Sequence, residues 1–267
     1  MLREPAVAGR FYPANAAVLR QDLQSYLSPV VARKSAIGCI VPHAGYMYSG
    51  QVAGAVFSRL EIADRCIVLC PNHTGRGHPL AIMKQGEWRT PLGTLPVDSD
   101  LAERLMEVFP ALAEDSAAHQ FEHAIEVELP FLQVLWPDVK FVPLAIGTGQ
   151  LMILLELGEA IARVIHGLER STLIIASSDM NHYEDDATTR VKDRKAIEKI
   201  LALDPAGLHK TVIDESISMC GFGPAVAMLA AAKTLDAKDA QLVQYATSGD
   251  VSGDRDMVVG YAGIVIT

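Results

Sequence analysis

Short apolar runs recur along the chain, and several end abruptly in a polar turn. Ile37-Gly38-Cys39-Ile40-Val41, Cys66-Ile67-Val68-Leu69-Cys70, Val139–Ile146 and Leu173-Ile174-Ile175-Ala176 read as buried strands, being short, continuous and rich in β-branched residues. Elsewhere the spacing is helical. Leucines at 19, 23 and 27 predict a helix over 16–28, and further helices are expected over roughly 51–60, 99–109, 122–136, 150–166, 187–202 and 223–235. Pro130 should break or bend the 122–136 helix, whereas Pro224 falls in the first turn of the last one, where proline is tolerated. Glu87 to Val97 alternates around Pro91-Leu92-Gly93 and predicts a hairpin. Two alternating strands, about 240–247 and 257–266, close the chain, and residues 2–15 read as an ordered arm. Strands alternating with helices imply an α/β fold: a largely parallel sheet flanked by helices on both faces, in a single domain over 1–267.

Composition narrows the classes. Half of the residues are apolar and 21% are charged, enough for a substantial core. The 32 acidic against 23 basic residues give −9, which argues against a nucleic-acid footprint. No run of eighteen apolar residues appears, so no membrane span is expected, and Met1-Leu2-Arg3-Glu4-Pro5 lacks a signal-peptide layout. Cys39, Cys66, Cys70 and Cys220 lie mostly in apolar runs and read as free thiols, with Cys66 and Cys70 on one strand face. The expected location is cytoplasmic.

The chemistry gathers where strands end. His43 follows Val41-Pro42, His73 follows Cys70-Pro71-Asn72, and Asp179 and His182 follow Ala176-Ser177-Ser178. In an open α/β sheet these carboxyl ends line the ligand crevice. His43 and His73 are therefore metal-ligand candidates, against the plainer reading that each caps a turn. Asp179 can orient His182 as a general base near neutral pH, or the segment can simply N-cap a helical turn. His123 and Glu126 share one face of the expected helix. His119-Gln120-Phe121-Glu122-His123 also spells the H-x-x-E-H pattern of inverted zincins, a remote zinc-peptidase alternative. There is no G-x-S-x-G elbow, Walker loop or complete dinucleotide fingerprint, so no nucleotide cofactor is expected.

Several longer stretches together resemble one family. Arg3-Glu4-Pro5-Ala6-Val7-Ala8-Gly9-x-Phe11-Tyr12-Pro13, Pro42-His43-Ala44-Gly45-Tyr46-x-Tyr48-Ser49-Gly50, Pro71-Asn72-His73, Glu122-His123-x-x-Glu126, Ser177-Ser178-Asp179-x-x-His182-Tyr183, Cys220-Gly221 and Thr247-Ser248-Gly249-Asp250 look like the Memo family. Its microbial members are called AmmeMemoRadiSam system protein B. The resemblance implies a fold similar to class III extradiol dioxygenases of the LigB type, where two histidines and a glutamate hold Fe(II) and another histidine is the acid/base. His43 and His73 match the histidine ligands, and His182, supported by Asp179, matches the acid/base group. Where animal Memo proteins carry a cysteine ligand this chain has Val251, and Asp250 is the expected substitute if its loop turns inward. Tyr48, Glu122, His123 and Cys220 are expected to line or buttress the pocket.

The implied function is a metal-dependent, dioxygenase-like oxidoreductase using Fe(II) or another divalent transition metal such as Cu or Zn. The alternative is a non-catalytic protein that binds a small ligand, peptide or partner in a relic pocket. The family name further implies association with an AMMECR1-type protein and a radical SAM protein.

Overall fold

A computed structural model describes residues 1–27, 33–61, 63–168 and 171–267. Its strands are β1 (Leu2–Arg3), β2 (Gly38–Val41), β3 (Arg65–Pro71), β4 (Leu80–Ile82), β5 (Glu87–Thr90), β6 (Gly93–Pro96), β7 (Ala113–Glu114), β8 (Lys140–Ile146), β9 (Thr172–Ser177), β10 (His182–Glu184), β11 (Ala240–Thr247) and β12 (Val258–Ile266). Its helices are α1 (Ala16–Tyr26), α2 (Tyr46–Phe57), α3 (Ser99–Val108), α4 (Leu129–Leu135), α5 (Leu151–His166), α6 (Asp186–Leu201), α7 (Pro205–Asp214), α8 (Phe222–Thr234) and α9 (Gly249–Ser252).

The main sheet runs β10-β12-β2-β9-β3-β8-β4-β7, with β11 also paired to β12. Its centre, β2-β9-β3-β8, is parallel. The flanks turn antiparallel, where β12 meets β2 and where β4 meets β8. The expected hairpin forms between β5 and β6, and joins β1 in a separate three-stranded sheet.

The strands alternate as pleating requires. Ile40, Ile67, Leu69, Val142, Leu144, Ile174 and Ala176 face a core completed by side chains of α3, α5, α6, α7 and α8. Cys39, Val41, Cys66, Val68, Cys70, Leu173 and Ile175 face the opposite core, with α1, α2 and α4. Helices therefore cover both faces, and Cys66 and Cys70 do share one. All four cysteines are free. Among the described residues no helix is long and apolar enough to cross a membrane.

Beyond the short elements β7, β10 and α9, which were not expected, three differ from the sequence expectation in ways that can be traced. The first is α2, which starts at Tyr46 instead of near 51, because Gly45 already accepts from the Ser49 N–H at 3.2 Å. This shortens the turn after β2 to Pro42–Gly45 and leaves His43 little freedom. The second is the 122–136 stretch, where only α4 is helical. Upstream, residues 124–128 form only turns, with the Glu122 carboxylate drawn to His73 and the Glu126 carboxylate to the arm. Pro130 consequently sits in the first turn of α4 and bends nothing. The third is α7, which was not anticipated although Asp204 caps it and Pro205 opens it. Residue 28, the end of the expected first helix, lies outside the described residues.

The arm is ordered, as expected. The buried Glu126 carboxylate pairs with Arg3 and accepts from Ala6 N–H at 2.7 Å, Val7 N–H at 3.0 Å and Tyr12 Oη–H at 2.6 Å. This clamp carries Phe11 to the carboxyl ends of the strands.

Candidate metal centre

A cavity of about 550 Å³ opens at those carboxyl ends, and His43, His73, His123, Asp179, His182 and Cys220 are on its wall. The rings of His43, His73 and His123 converge, with centroids 5.1 Å (His43–His73), 5.4 Å (His43–His123) and 4.8 Å (His73–His123) apart. One ligand atom from each lies within 4.8 Å of the others. Bonds of roughly 2.0–2.1 Å to a shared ion would need these nitrogens closer together than that.

His43 is held at both ends of its residue. Its main-chain N–H donates to Asp179 Oδ1 at 2.8 Å, its Nδ1 lies 2.9 Å from Ser177 Oγ, and its Nε2 lies 3.3 Å from Cys220 Sγ. His73 is fastened by Glu122, which accepts from the His73 main-chain N–H at 2.7 Å and lies 2.9 Å from its Nδ1. The His73 Nε2 lone pair is thereby left for a ligand. His123 Nδ1 is 3.5 Å from the same carboxylate, and its ring meets the edge of Phe11 at 4.7 Å.

The donors suit a cation. Burial, then the neighbouring imidazoles, hold the His43 pKa well below that of free histidine, so it stays in the neutral, ligating form. Burial likewise lowers that of His123, although Glu122 opposes it. For His73, burial acts downward but is outweighed by the hydrogen bond and charge of Glu122, and the net shift is upward. The His73 side chain remains 32% exposed, so the cluster has an open side.

His182 stands on the same wall. Its main-chain N–H donates to Ser218 Oγ at 2.7 Å, and its Nδ1 lies 2.9 Å from the Ser218 carbonyl, which fixes the proton on Nδ1 and leaves Nε2 free. Ser218 is in turn held by Asn181 Oδ1, which accepts from its N–H and its hydroxyl at 3.0 Å each. The sequence reading missed both residues. Asn181, inside the Asp-x-x-His unit, carried a signal of a kind; Ser218, 36 residues on, carried none.

Two expected roles are corrected. Asp179 does not orient His182, because its Oδ1 accepts from the main-chain N–H groups of His43 and Ala44. Burial, partly offset by those bonds, raises its pKa to about 7. Asp250 does not turn inward. In α9 it pairs with Arg190 at 2.8 Å and Arg255 at 3.2 Å and accepts from Thr247 N–H at 2.9 Å. Charge complementarity at the surface thus outcompetes the metal role, and His123 stands beside His43 and His73 in its place.

The pocket candidates divide. His123 and Cys220 line the cavity, Glu122 supports it from behind, and Tyr48, half-buried in the first turn of α2, is not on its wall. The H-x-x-E-H pattern does not assemble. His119 is fully buried against the edge of Trp88 at 5.8 Å and takes no part in the histidine group.

Comparison with known proteins shows the family. A family model described as "Memo-like protein" matches residues 3–265. The chain belongs to the Memo family. Memo-family relatives include the "MEMO1 family protein MK0963" of Methanopyrus kandleri, 43% identical over 99% of both chains. A "MEMO1 family protein" of Pyrobaculum arsenaticum is 42% identical over 99% of this chain and 98% of its own. Among solved structures, "uncharacterized protein JW3007" from Escherichia coli K12 shares the fold at a TM-score of 0.57 and 15% identity, covering 84% of this chain and 98% of that one.

Proposed function

We propose that this Memo-family protein is a metal-dependent oxidoreductase in which His43, His73 and His123 hold one divalent transition ion and His182 moves a proton. The observation that carries the reading is the convergence of three imidazoles, from three separate segments, within 4.8 Å. A bound ion would supply Lewis-acid and redox chemistry, and imidazole donors suit Fe, Cu and Zn alike. The protein's own contributions are more specific. Glu122 fixes the His73 ring, the arm brings Phe11 over His123, and the free Nε2 of His182 takes or returns a substrate proton. Burial lowers the His182 pKa, so the ring is neutral and basic at pH 7. Asp179, also on the cavity wall, holds the turn that carries His43 by accepting from the His43 and Ala44 N–H groups.

A second reading is favoured by one feature. The histidine group contains no carboxylate, since both Glu122 oxygens are engaged by N–H groups and Asp250 is paired elsewhere. A protein that binds a small ligand or peptide without turnover would tolerate that donor set.

Anaerobic purification with elemental analysis tests the first reading. His43→Ala, His73→Ala and His123→Ala should each lower the bound metal, and unchanged content in all three removes the centre. Iron-loaded protein is then offered catechol probes, with His182→Gln expected to keep the metal and lose turnover. A wild type that binds metal and probe but consumes no oxygen would favour the second reading.

A further inference from the structure

Behind His43 lies a group that the proposed chemistry does not use. Glu128 is fully buried, and its Oε1 lies 3.1 Å from Ser177 Oγ. The same Ser177 oxygen is 2.9 Å from His43 Nδ1 and 2.7 Å from the carbonyl of the buried Ala124. A hydroxyl offers one proton and two lone pairs. Of the three neighbours only the Ala124 carbonyl cannot donate, and it makes the shortest contact, so the serine proton belongs there. Both remaining neighbours must then donate to Ser177 Oγ. We propose that Glu128, as a neutral acid, and Ser177 are positioning residues that hold the His43 proton on Nδ1 and point its Nε2 lone pair into the cavity.

Two independent features agree. Burial, the largest influence on Glu128, raises its pKa well above the usual carboxyl range. Its second oxygen, Oε2, has no hydrogen-bond partner, which the carbonyl oxygen of a neutral acid tolerates better than a carboxylate does.

Long-range proton–nitrogen correlation spectra of the metal-free protein, with His43 assigned by difference against His43→Gln, read the tautomer directly. Zinc titration of each variant reads the consequence, and that arm alone rests on the proposed metal centre. Wild type should show Nδ1–H. Glu128→Gln, whose amide donates to Ser177, should keep it and bind zinc within about threefold of wild type. Glu128→Leu and Ser177→Ala should mix the tautomers and weaken zinc binding about 10–100-fold. A wild-type His43 protonated on Nε2 overturns the inference without needing any variant. So does a Ser177→Ala protein with unchanged tautomer and zinc affinity. If wild type binds no zinc, the metal reading falls while the ring spectra still decide this point.

Discussion

Glu122→Gln is nearly isosteric, yet it should unmake much of the site. The fully buried carboxylate accepts from His73 N–H at 2.7 Å through Oε2. Through Oε1 it meets His73 Nδ1 at 2.9 Å, His123 N–H at 2.9 Å and Ala124 N–H at 3.0 Å. A glutamine has one oxygen and one NH2. Its better orientation keeps the oxygen on the three-bond side and turns the NH2 against the His73 N–H. That exchanges one charge-assisted bond for an unpaired donor, about 2 kcal/mol, and weakens the others from charged to neutral, so the total is about 3 kcal/mol. At roughly 2–4 °C per kcal/mol for a chain near this size, the midpoint of melting should fall by about 6–12 °C. Burial acts to raise the Glu122 pKa, but the bonds from His73 and the neighbouring N–H groups win and lower it. A depressed folded pKa means stability that is present above the unfolded value and lost as pH falls through the folded one. The difference between wild type and variant should therefore be full at pH 7 and shrink below about pH 4. Equilibrium urea unfolding at several pH values measures both. A difference under about 1 kcal/mol at neutral pH, or one independent of pH, would refute the account.

Three further outcomes are expected. Arg3→Ala strands the buried Glu126 and removes bonds from the guanidinium to the His119 carbonyl at 3.1 Å and the Glu122 carbonyl at 2.6 Å. It should cost about 3 kcal/mol and free the arm to proteolysis near Phe11; Arg3→Lys, lacking the fork, should not restore resistance. Gly54→Ala gains up to about 1 kcal/mol of helix propensity, but its Cβ would lie 2.4 Å from the Tyr26 carbonyl oxygen. Backbone cannot give way, so a net loss of about 2 kcal/mol in urea titration is expected, and a stabilised variant would contradict the helix contact. Burial, opposed by bonds from Tyr245 and the Asn181 N–H, raises Asp193 to about pH 7. A raised folded pKa gives stability that is full below the unfolded value near pH 4 and lost as pH rises toward 7. Asp193→Asn should flatten that slope, as followed by urea midpoints across pH 4–8.

The sequence by itself determined the layers. Period-two runs such as Ile67-Val68-Leu69-Cys70 divide their side chains between two cores regardless of what surrounds them, because the pleat is a local property. It also placed His43, His73 and His182 at strand ends, since each is separated from its strand by only a few residues. The stretch from Glu122 to Glu128 was not legible in the same way. Its glutamates look like helix residues until Glu122 is drawn to His73 and Glu126 clamps an arm more than a hundred residues away. Asp250 was misplaced for a related reason. Whether a carboxylate turns toward an ion or toward Arg190 and Arg255 depends on charges that meet only when α6 packs beside the last strands. What the tertiary structure decided was therefore pairing: His123 with His43 and His73, Ser218 with His182, and Glu128 with Ser177. Hydrophobic period is written within a few residues of chain, whereas a hydrogen bond between side chains is set by distances that folding alone fixes.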